Sequence, residues 1–342
     1  MPYSVVHSGI GIIGAGHMGV KRAGAIAESG RGALRAVADT DHDRAAALAK
    51  TYGADAYGDW RELVERKDIS IVIIAVPNAH TAPIVIASLE AGKHVLCEKP
   101  FGISTDESKK MIAVARRARR LIKVGFNHRF HAGIQKAYEI HARGGIGKIM
   151  LVRARYGYGG RPGMEKEWRF QKKLSGGGEL LDQGVHVIDL ARWFCGEFKS
   201  VYGLIQTKFW RTKLDDNAFG IFRNKLATAS MHVSTTNWKN IFSFEVFGDA
   251  GYLQIDGKGG SYGEETLTYG RSRLGMAPDI EVFAFGTKDT SWEREWIHFY
   301  DRILSGKGRL CGDALDGLRA NEIVEAVYRS SDEHMEIQLP RG

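Results

Sequence analysis

The segment IGIIGAGHMG, residues 10–19, joins a short apolar run to three spaced glycines and decides the fold class of the first part of the chain. The apolar run predicts a buried β-strand, and the small residues that follow Gly19 predict a helix that ends at Gly30. In the turn, Gly14 allows a tight bend, Gly16 allows a phosphate group to approach the backbone, and Gly19 allows close helix–strand packing. The segment therefore predicts the start of a dinucleotide-binding unit.

A carboxylate follows this turn at a suitable distance. Asp39 ends the second predicted strand, residues 34–38, and lies 20 residues beyond Gly19. A carboxylate at this position accepts hydrogen bonds from the ribose hydroxyls of NAD, whereas it repels the 2′-phosphate of NADP. Asp41 would add to this repulsion, and Arg44 is the nearby cation that would oppose it. We therefore expect NAD as the cofactor, with NADP less favoured.

Strand-like and helix-like segments alternate through the first third of the chain. The further predicted strands are residues 34–38, 69–76, 94–97 and 121–126, and the further predicted helices are residues 43–52, 82–91 and a segment that opens at 104–107. Strands that alternate with helices form a parallel sheet with helices on both faces. We therefore expect an α/β architecture that begins with a doubly wound Rossmann domain over residues 1–125.

A different pattern follows residue 126. Helical segments at 131–143 and 179–194 accompany six strand candidates, residues 148–158, 200–210, 217–223, 226–236, 241–248 and 252–256. Residues 257–291 show no clear pattern, and helical segments at 292–304 and 313–329 close the chain. The alternating polarity of the strands predicts an α+β domain with a mostly antiparallel sheet over residues 126–342, whose last helix could pack back on the N-terminal domain.

The composition is that of a globular protein. Of 342 residues, 44% are hydrophobic and 26% are charged, and 48 Lys and Arg against 40 Asp and Glu give a net charge of +8. This mild excess, and the lack of any apolar run near about 18 residues, argue against nucleic acid or a membrane as a partner. Cys97, Cys195 and Cys311 lack metal-ligand spacing, which predicts free thiols in the cytoplasm and no metal.

The densest basic cluster comprises Arg116, Arg117, Arg119, Arg120 and Lys123. An apolar stripe on the same predicted helix faces the other way, so the pattern indicates a solvated helix face. Binding of an anion or of a partner is the alternative.

A lysine follows the predicted strand 94–97, in the sequence Glu98-Lys99-Pro100. Ligands of open α/β sheets bind at the carboxyl edge, where this segment is expected to lie. Lys99 could there donate a hydrogen bond to a substrate oxygen and stabilise the negative charge that develops on it. From the residues alone, a lysine in a surface loop is an equally good interpretation.

Asp182 and His186 lie four residues apart on the predicted helix 179–194, which places both side chains on one helical face. A carboxylate next to an imidazole can orient the ring and raise its pKa, which suits a general base near neutral pH. Two alternatives stay open from the residues: a structural pair, and a metal site for which no third ligand is evident.

The predicted strand 148–158 and the loop after it carry basic and aromatic side chains that could select a substrate. They are Arg153, Arg155, Tyr156, Tyr158, Arg161, Lys166, Trp168 and Arg169. Aromatic faces stack on sugar rings, and guanidinium groups bind phosphate or carboxylate groups. Because side chains alternate along a strand, half of those on the strand are also expected to point away from any site.

Taken together, these motifs resemble those of the Gfo/Idh/MocA oxidoreductases, named for glucose–fructose oxidoreductase, inositol dehydrogenase and rhizopine catabolism proteins. The resemblance covers nearly the whole chain and rests on Gly14-Ala15-Gly16, residues 75–78 with His80, residues 89–95 and 98–100, residues 126–130, residues 176–178, Asp182, His186, Asp189 and Trp193. It implies a Rossmann domain and an open-faced, mostly antiparallel sheet. Because that sheet often mediates assembly in the family, we expect a homodimer or homotetramer.

The resemblance also implies a catalytic set of Lys99, Asp182 and His186. His186 would take the proton of a substrate hydroxyl, Lys99 would polarise the same oxygen, and Asp182 would bind substrate or position His186. The expected cofactor-binding residues are Gly14, Gly16, His17, Met18, Asp39, Val76, Pro77, Asn78, His80, Glu98, Lys99, Asn127, Trp168 and Arg169. The expected substrate-binding residues are Lys99, Arg155, Tyr156, Tyr158, Arg161, Asp182 and His186.

We therefore expect an NAD(P)-dependent oxidoreductase that transfers a hydride between nicotinamide C4 and a secondary hydroxyl or ketone of a sugar, nucleotide sugar or cyclitol. One alternative is an NAD-dependent glycoside hydrolase that oxidises its substrate only transiently. Another is a non-catalytic regulator that binds the dinucleotide, which the presence of Lys99, Asp182 and His186 disfavours.

Overall fold

The computed structural model describes residues 8–340 of the chain. Within this range it contains fifteen β-strands: β1 (Gly9–Ile13), β2 (Ala33–Ala38), β3 (Asp55–Tyr57), β4 (Ile69–Ile74), β5 (His94–Cys97), β6 (Ile122–Val124), β7 (Ile149–Gly157), β8 (Ser200–Gln206), β9 (Asn217–Arg223), β10 (Thr228–Ser234), β11 (Ile241–Gly248), β12 (Gly251–Asp256), β13 (Thr266–Arg271), β14 (Asp279–Ala284) and β15 (Ile337–Gln338). The same residues form ten α-helices: α1 (His17–Ser29), α2 (His42–Tyr52), α3 (Trp60–Glu65), α4 (Thr81–Glu90), α5 (Thr105–Ala118), α6 (Ala132–Ala142), α7 (Lys172–Ser175), α8 (Val185–Cys195), α9 (Ser291–Ser305) and α10 (Ala314–Glu333). None of the helices described here combines the length and the apolar character needed to cross a bilayer.

The chain divides into two compact units. The first unit ends at Asn127 and also includes Trp292–Leu318, and the second comprises His128–Ser291 and the chain from Arg319 onward. Residues 292–318 are expected in the second domain, so this segment is where the expected division and the observed units differ.

The first unit is built on a six-stranded parallel sheet with the strand order β3–β2–β1–β4–β5–β6. This order confirms the predicted doubly wound Rossmann sheet. It reverses between β1 and β4, and ligands of such folds bind outside the carboxyl ends of the strands at this switch point. Strand β3 was not predicted, because residues 55–57 are only three and carry no apolar run.

The hydrophobic core explains why residues 292–318 belong to the first unit. Trp296 and Phe299 of α9 are at most 1% exposed and share one cluster with the apolar side chains of β1, β2 and α1. The indole N–H of Trp296 also donates to the carbonyl of Arg31 at 3.0 Å. Apolar periodicity predicts that α9 is a helix, but it does not say which core the helix enters.

The second unit is built on a nine-stranded sheet with the order β14–β13–β12–β11–β7–β10–β9–β8–β15. Neighbouring strands are antiparallel except β7 and β10, which are parallel, so the predicted mostly antiparallel sheet is confirmed. Strands β13 and β14 lie within residues 257–291, where glycines and polar residues hide the alternation. That is why the sequence predicted no strands there.

One face of this second sheet is covered and the other is open. Helices α6 and α8 pack on the covered face, against β12, β13 and β7. On the opposite face, the apolar side chains Tyr202, Leu204, Phe219 and Ile221 of β8 and β9 remain 39–46% exposed. The open-faced sheet expected from the family resemblance is therefore present.

The structure corrects the prediction for Lys123. Helix α5 ends at Ala118, and Lys123 lies in β6, where its side chain is fully buried. Its ammonium group donates to the carboxylate of Glu295 and to the carbonyl of Val124, at 2.7 Å each. Lys123 is therefore not part of a solvated helix face. Its partner lies 172 residues further along the chain, so the local pattern did not reveal it.

Lys123 belongs to a buried group of four charges, the ion quartet, formed by Arg22, Glu98, Lys123 and Glu295. Arg22 donates to Glu98 at 2.6 Å and to Glu295 at 2.7 Å. The side chains of Arg22, Lys123 and Glu295 are at most 1% exposed, and that of Glu98 is 11% exposed. Burial alone would raise the pKa of Glu295, but Lys123 and Arg22 outweigh it and hold this pKa below its usual range.

We predict that Glu295→Gln lowers the free energy of unfolding by about 3–5 kcal/mol, because it leaves two buried cations with one carboxylate. The pKa of Glu295 in the folded protein lies below its ordinary value of 4.5. The ionised carboxylate therefore contributes stability above that pH, and the contribution is lost as the pH falls through the folded value. Urea unfolding followed by tryptophan fluorescence, at neutral and acid pH, measures both effects.

The matched control is Glu293→Gln on the same helix, because Glu293 is only half-buried. Substitutions of this kind usually change stability by less than about 0.5 kcal/mol. If Glu293→Gln and Glu295→Gln lowered the free energy of unfolding equally, the ion quartet would not stabilise the fold as we propose.

Candidate active site

The predicted cofactor residues of the first unit gather at one edge of its sheet. Because β1, β2, β4, β5 and β6 are parallel, the loops that follow them all leave at the carboxyl edge. Backbone hydrogen bonds hold the loops side by side, from the Gly14 N–H to the Ala38 carbonyl at 2.8 Å and from the Glu98 N–H to the Ile74 carbonyl at 2.9 Å. The predicted residues at this edge are Gly14, Gly16, His17, Met18, Asp39, Val76, Pro77, Asn78, His80, Glu98, Lys99 and Asn127.

Three glycines shape the turn between β1 and α1. Gly14 has a φ of +98°, and a methyl group there would lie 2.3 Å from the carbonyl oxygen of Ala75. A methyl group at Gly19 would lie 1.9 Å from the carbonyl oxygen of Gly14, so only glycine allows the helix to approach this closely. A methyl group at Gly16 would meet no protein atom within 4 Å. The turn therefore leaves open space over the backbone where α1 begins.

Asp39 is held in place by the same turn. The backbone N–H of Ala15 donates to one oxygen of the Asp39 carboxylate at 2.7 Å, and the N–H of Asp41 donates to the other at 2.9 Å. An ionised carboxylate offers about four acceptor positions, so each oxygen can accept a further hydrogen bond from a ligand hydroxyl.

These features fit a dinucleotide. The open space at Gly16 and the partial positive charge at the N-terminus of α1 suit a pyrophosphate. Asp39 lies where a Rossmann fold holds the ribose of the adenosine half. Lys99 follows Glu98, which Arg22 of the ion quartet holds from the protein interior. The peptide bond between Lys99 and Pro100 is cis.

The second unit carries Asp182 and His186, though not on one regular helix as their spacing predicted. Leu180–Gly184 form a π-helical turn that contains Asp182, and His186 lies in the first turn of α8. The buried carboxylate of Asp215 accepts a hydrogen bond from the Leu180 N–H at 2.7 Å. This contact fixes the start of the π-helical turn, a feature frequently found at functional sites.

The imidazole of His186 is buried among aromatic side chains. His186 is 4% exposed, and its ring stacks on that of His128 with the centroids 3.9 Å apart and the planes inclined by 15°. The ring centroid of His128 lies in turn 5.1 Å from that of Tyr156. The second unit therefore holds His186 in a defined orientation within an apolar, aromatic environment.

Arg169 lies next to the other predicted catalytic residue of this unit. Its Nε lies 3.6 Å from a carboxylate oxygen of Asp182, whose side chain is 21% exposed. The guanidinium group also stacks on the ring of Trp168, 4.6 Å from its centroid. The cation favours the ionised form of Asp182, so this carboxylate can accept hydrogen bonds from a polar ligand.

Three tyrosines lie in the same part of the second unit. Burial, together with nearby carboxylates, raises the pKa of Tyr156 and of Tyr158 above the usual value, and raises the pKa of Tyr262 to about 12. All three phenols therefore keep their protons at neutral pH and can donate hydrogen bonds. The ammonium group of Lys258 lies 4.0 Å from the ring centroid of Tyr262.

Two predicted substrate-binding residues do not join this group. Arg155 and Tyr156 are adjacent on β7 and point to opposite faces of the sheet; Arg155 is exposed and pairs in register with His232 of β10. The strict alternation of strand side chains therefore corrects the grouping of Arg155 with Tyr156. Arg161 is 65% exposed and forms an ion pair with Glu167 at 2.6 Å.

Several residues of this aromatic cluster are not predicted by the sequence. His128 lies in the 126–130 motif, so its position was noted, but nothing in the sequence indicated a contact with His186. Lys258 and Tyr262 lie between β12 and β13, in the glycine-rich segment 257–291. The sequence of this segment shows no clear pattern, so it predicted neither its strands nor a role for these side chains. Only the pairing of β12 with β13 brings them beside Tyr156.

Known families match both units of the chain. A family model described as an oxidoreductase family with an NAD-binding Rossmann fold matches residues 8–126. A second model, described as the GFO/IDH/MocA C-terminal domain, matches residues 134–254.

Curated relatives point in the same direction. The inositol 2-dehydrogenase of Rubrobacter xylanophilus is 30% identical over 329 residues, which cover 94% of this chain and 90% of that protein. The levoglucosan dehydrogenase of Pseudarthrobacter phenanthrenivorans is 36% identical over 176 residues, which cover 51% of this chain and 45% of that protein.

Solved structures share the whole architecture. A levoglucosan dehydrogenase in complex with NADH superposes with a TM-score of 0.91 at 25% identity, over 98% of this chain and 100% of that chain. An NAD binding oxidoreductase from Klebsiella pneumoniae superposes with a TM-score of 0.88 at 26% identity, over the same shares of the two chains.

Proposed function

Because this chain belongs to the Gfo/Idh/MocA family of NAD-binding oxidoreductases, we propose that it is a dehydrogenase acting on a secondary hydroxyl group of a sugar or cyclitol. The observation that carries the proposal is the buried His186 imidazole, which lies among aromatic rings just after the carboxylate of Asp182. Relatives named for levoglucosan, inositol and D-glucoside support the substrate class, since all three are hydroxylated rings.

We assign the chemistry to three side chains. His186 takes the proton of the reacting hydroxyl group, and returns it in the reverse direction. Lys99 donates a hydrogen bond to the same oxygen and stabilises the negative charge that develops there. Asp182 accepts a hydrogen bond from a neighbouring hydroxyl of the substrate. Bound NAD would supply the acceptor for the hydride that leaves the carbon carrying the reacting hydroxyl.

The aromatic cluster of the second unit favours a ring with several hydroxyl groups. Tyr156, Tyr158 and Tyr262 stay protonated. Tyr156 donates to Tyr262 and Tyr158 donates to the sulfur of Met164, so Tyr262 keeps its proton for a substrate hydroxyl. The aromatic rings can contact the apolar face of a sugar. The carboxylate of Asp182, 3.6 Å from Arg169, can accept a hydrogen bond from a substrate hydroxyl, and we propose that Trp168 and Arg169 also contact the cofactor.

The direct test is a substrate screen. Purified enzyme is mixed with NAD and with levoglucosan, myo-inositol, D-glucosides, sugar phosphates or nucleotide sugars, and formation of NADH is followed by its absorbance. We expect turnover of at least one neutral sugar or cyclitol. Cleavage of a glycoside without net formation of NADH would contradict the proposal and favour hydrolysis.

We further propose NAD, rather than NADP, as the physiological cofactor. The Asp39 carboxylate, oriented by the N–H groups of Ala15 and Asp41, would accept hydrogen bonds from a ribose diol. The same negative charge would repel a 2′-phosphate.

We predict that Asp39→Ala weakens NAD binding and narrows the preference for NAD over NADP, because it removes both the acceptor and the repulsive charge. Titration of each dinucleotide against protein fluorescence measures the two dissociation constants. Asp43→Ala, on the exposed surface of α2, is the matched control and should leave both constants unchanged. Wild-type protein that bound NADP tenfold more tightly than NAD, a difference of about 1.4 kcal/mol, would overturn the assignment.

We predict that Lys99→Ala and His186→Ala each lower kcat by about 10²–10⁴-fold, because each removes a positioned proton-transfer or charge-stabilising group. Binding of NAD, measured separately by fluorescence, should change only a few-fold. Asp182→Asn should have a smaller effect on kcat than either and should raise KM, because the amide keeps one acceptor oxygen.

Lys93→Ala is unsuitable as a control, since Lys93 is buried and donates to two backbone carbonyls. Lys110→Ala, on the exposed face of α5, serves this purpose and should keep wild-type kcat. Turnover near that of the wild type in both Lys99→Ala and His186→Ala would refute the mechanism and leave the family assignment intact.

We also propose that the protein is a homodimer or homotetramer, assembled through the open face of the second sheet. Tyr202 pairs across the strands with Ile221, and Leu204 pairs with Phe219, so their exposed side chains form one continuous apolar patch. Patches of this kind on a folded surface usually mark an interface.

We predict that Phe219→Asp dissociates the assembly, because a carboxylate in the patch would be desolvated against the partner. Light scattering at micromolar concentrations measures the mass. Leu226→Asp is the control, because Leu226 is 79% exposed at the β9–β10 turn and should leave the mass unchanged. A wild-type mass equal to that of one chain would contradict the assembly.

A further inference from the structure

A second imidazole lies directly behind His186. The ring of His128 stacks on that of His186, with centroids 3.9 Å apart and planes inclined by 15°. Both residues are nearly excluded from solvent, at 3% and 4% exposure. Of the two imidazoles, the reaction proposed above uses only that of His186. An apolar side chain would be easier to bury at residue 128, so the buried polar ring of His128 requires an explanation.

The backbone that carries His128 is held against the helix that carries His186. Arg129, the next residue, donates two hydrogen bonds to the carboxylate of Asp189 in α8, each 2.6 Å long. Both side chains are at most 2% exposed, so this buried, two-point contact fixes the register between the two segments. The backbone next to each ring is therefore fixed, so the two imidazoles are held in their stacked arrangement.

Two further rings contact that of His128. The ring of Tyr156 lies 5.1 Å away, and the ring of His131 contacts it edge-on with centroids 5.5 Å apart. His131 lies in turn between two carboxylates, with its Nδ1 3.4 Å from Glu265 and 3.9 Å from Asp289. The carboxylates of Glu265 and Asp289 thus lie next to His131, which itself contacts the ring of His128.

The geometry of the stack limits what His128 can do. Imidazole nitrogens exchange protons in the plane of the ring, so two parallel rings cannot pass a proton directly to each other. Stacking does fix the plane of the His186 ring and hence the direction of its nitrogens. Two positive charges this close together also repel strongly, which favours a single positive charge on the pair.

We propose that His128 is a positioning residue for His186: it holds the plane of the general base and forms with it a pair that carries at most one positive charge. This inference rests on the role proposed for His186. Titratable and charged groups lie near the pair on every side that the contacts describe. His131 and Tyr156 contact His128, Glu265 and Asp289 lie next to His131, and Lys258 and Tyr262 lie next to Tyr156. Asp182 lies in the turn before His186, and Arg129 forms an ion pair with Asp189.

The first test is a double-mutant cycle on kcat, measured with whichever of levoglucosan, myo-inositol or methyl D-glucoside turns over fastest. We expect His128→Ala to lower kcat by about 10–100-fold, the loss expected from a misplaced reacting group. KM and the dissociation constant of NADH should stay within about threefold, as for a residue that acts on orientation. In the His186→Ala background, adding His128→Ala should cause no further loss, because the ring it positions is gone.

Two further variants separate stacking from general stability. His128→Phe keeps a flat ring in the same place and should retain kcat within about threefold. His141→Ala is the matched control, because it removes a half-buried imidazole that lies beside Phe194 in the same unit, and it should leave kcat unchanged. Thermal unfolding of all variants shows whether His128→Ala folds.

The second test needs no substrate. In NMR titrations of the ring nitrogens, we expect the wild-type pair to titrate in two separated steps that each change both rings. In His128→Phe, His186 should titrate in a single step. This readout does not depend on whether His128→Ala folds, and a purely structural role for His128 would leave the titration of His186 unchanged.

The outcomes distinguish this inference from the proposed function. Full activity of His186→Ala would refute both, because His186 would then not be the base. An inactive His186→Ala together with a fully active His128→Ala, or with additive losses in the cycle, would refute the inference alone. An identical His186 titration in the wild type and in His128→Phe would refute it as well.

Discussion

Four buried charges hold the first unit together at the edge of the sheet where the candidate cofactor site lies. In the ion quartet, Arg22 of α1 contacts Glu98 at the end of β5, and Arg22 and Lys123 share Glu295 of α9. A buried ion destabilises the folded state unless it is neutralised and hydrogen-bonded, so any movement that separated these four groups would be unfavourable. The helix that follows the glycine turn and the loop that carries Lys99 are thereby held in fixed relation within this unit.

The second unit uses the same principle around its candidate base. Asp215 binds the backbone at the start of the π-helical turn, and Asp189 binds Arg129 beside His128. Each carboxylate is buried and satisfied by directional hydrogen bonds, so each defines where a neighbouring functional side chain stands. The consequence is a preorganised His186, whose plane, burial and neighbours are set before any substrate binds.

Some features of the fold could be predicted because they follow from local physics. Buried parallel strands require continuous apolar runs, and β4 has one. The turn before α1 requires glycine at residues 14 and 19, because a methyl group at either position would lie 2.3 Å or less from a carbonyl oxygen. Other features failed for equally physical reasons. The sequence predicts Lys123 on a solvated helix face because an apolar stripe lies opposite the basic cluster, but its side chain is fully buried in β6. Arg155 and Tyr156 are both predicted to bind substrate, but they point to opposite faces of β7.

The sequence by itself determined the alternation of strands and helices, the glycine turn with Asp39, and the residue types available for chemistry, because periodicity, backbone freedom and side-chain chemistry are local properties. Only the tertiary structure decided which distant groups meet. The contacts of Lys123 with Glu295 and of His128 with His186 join residues far apart in the chain. Such contacts depend on strand order and helix docking, which set long-range geometry that no short stretch of sequence encodes.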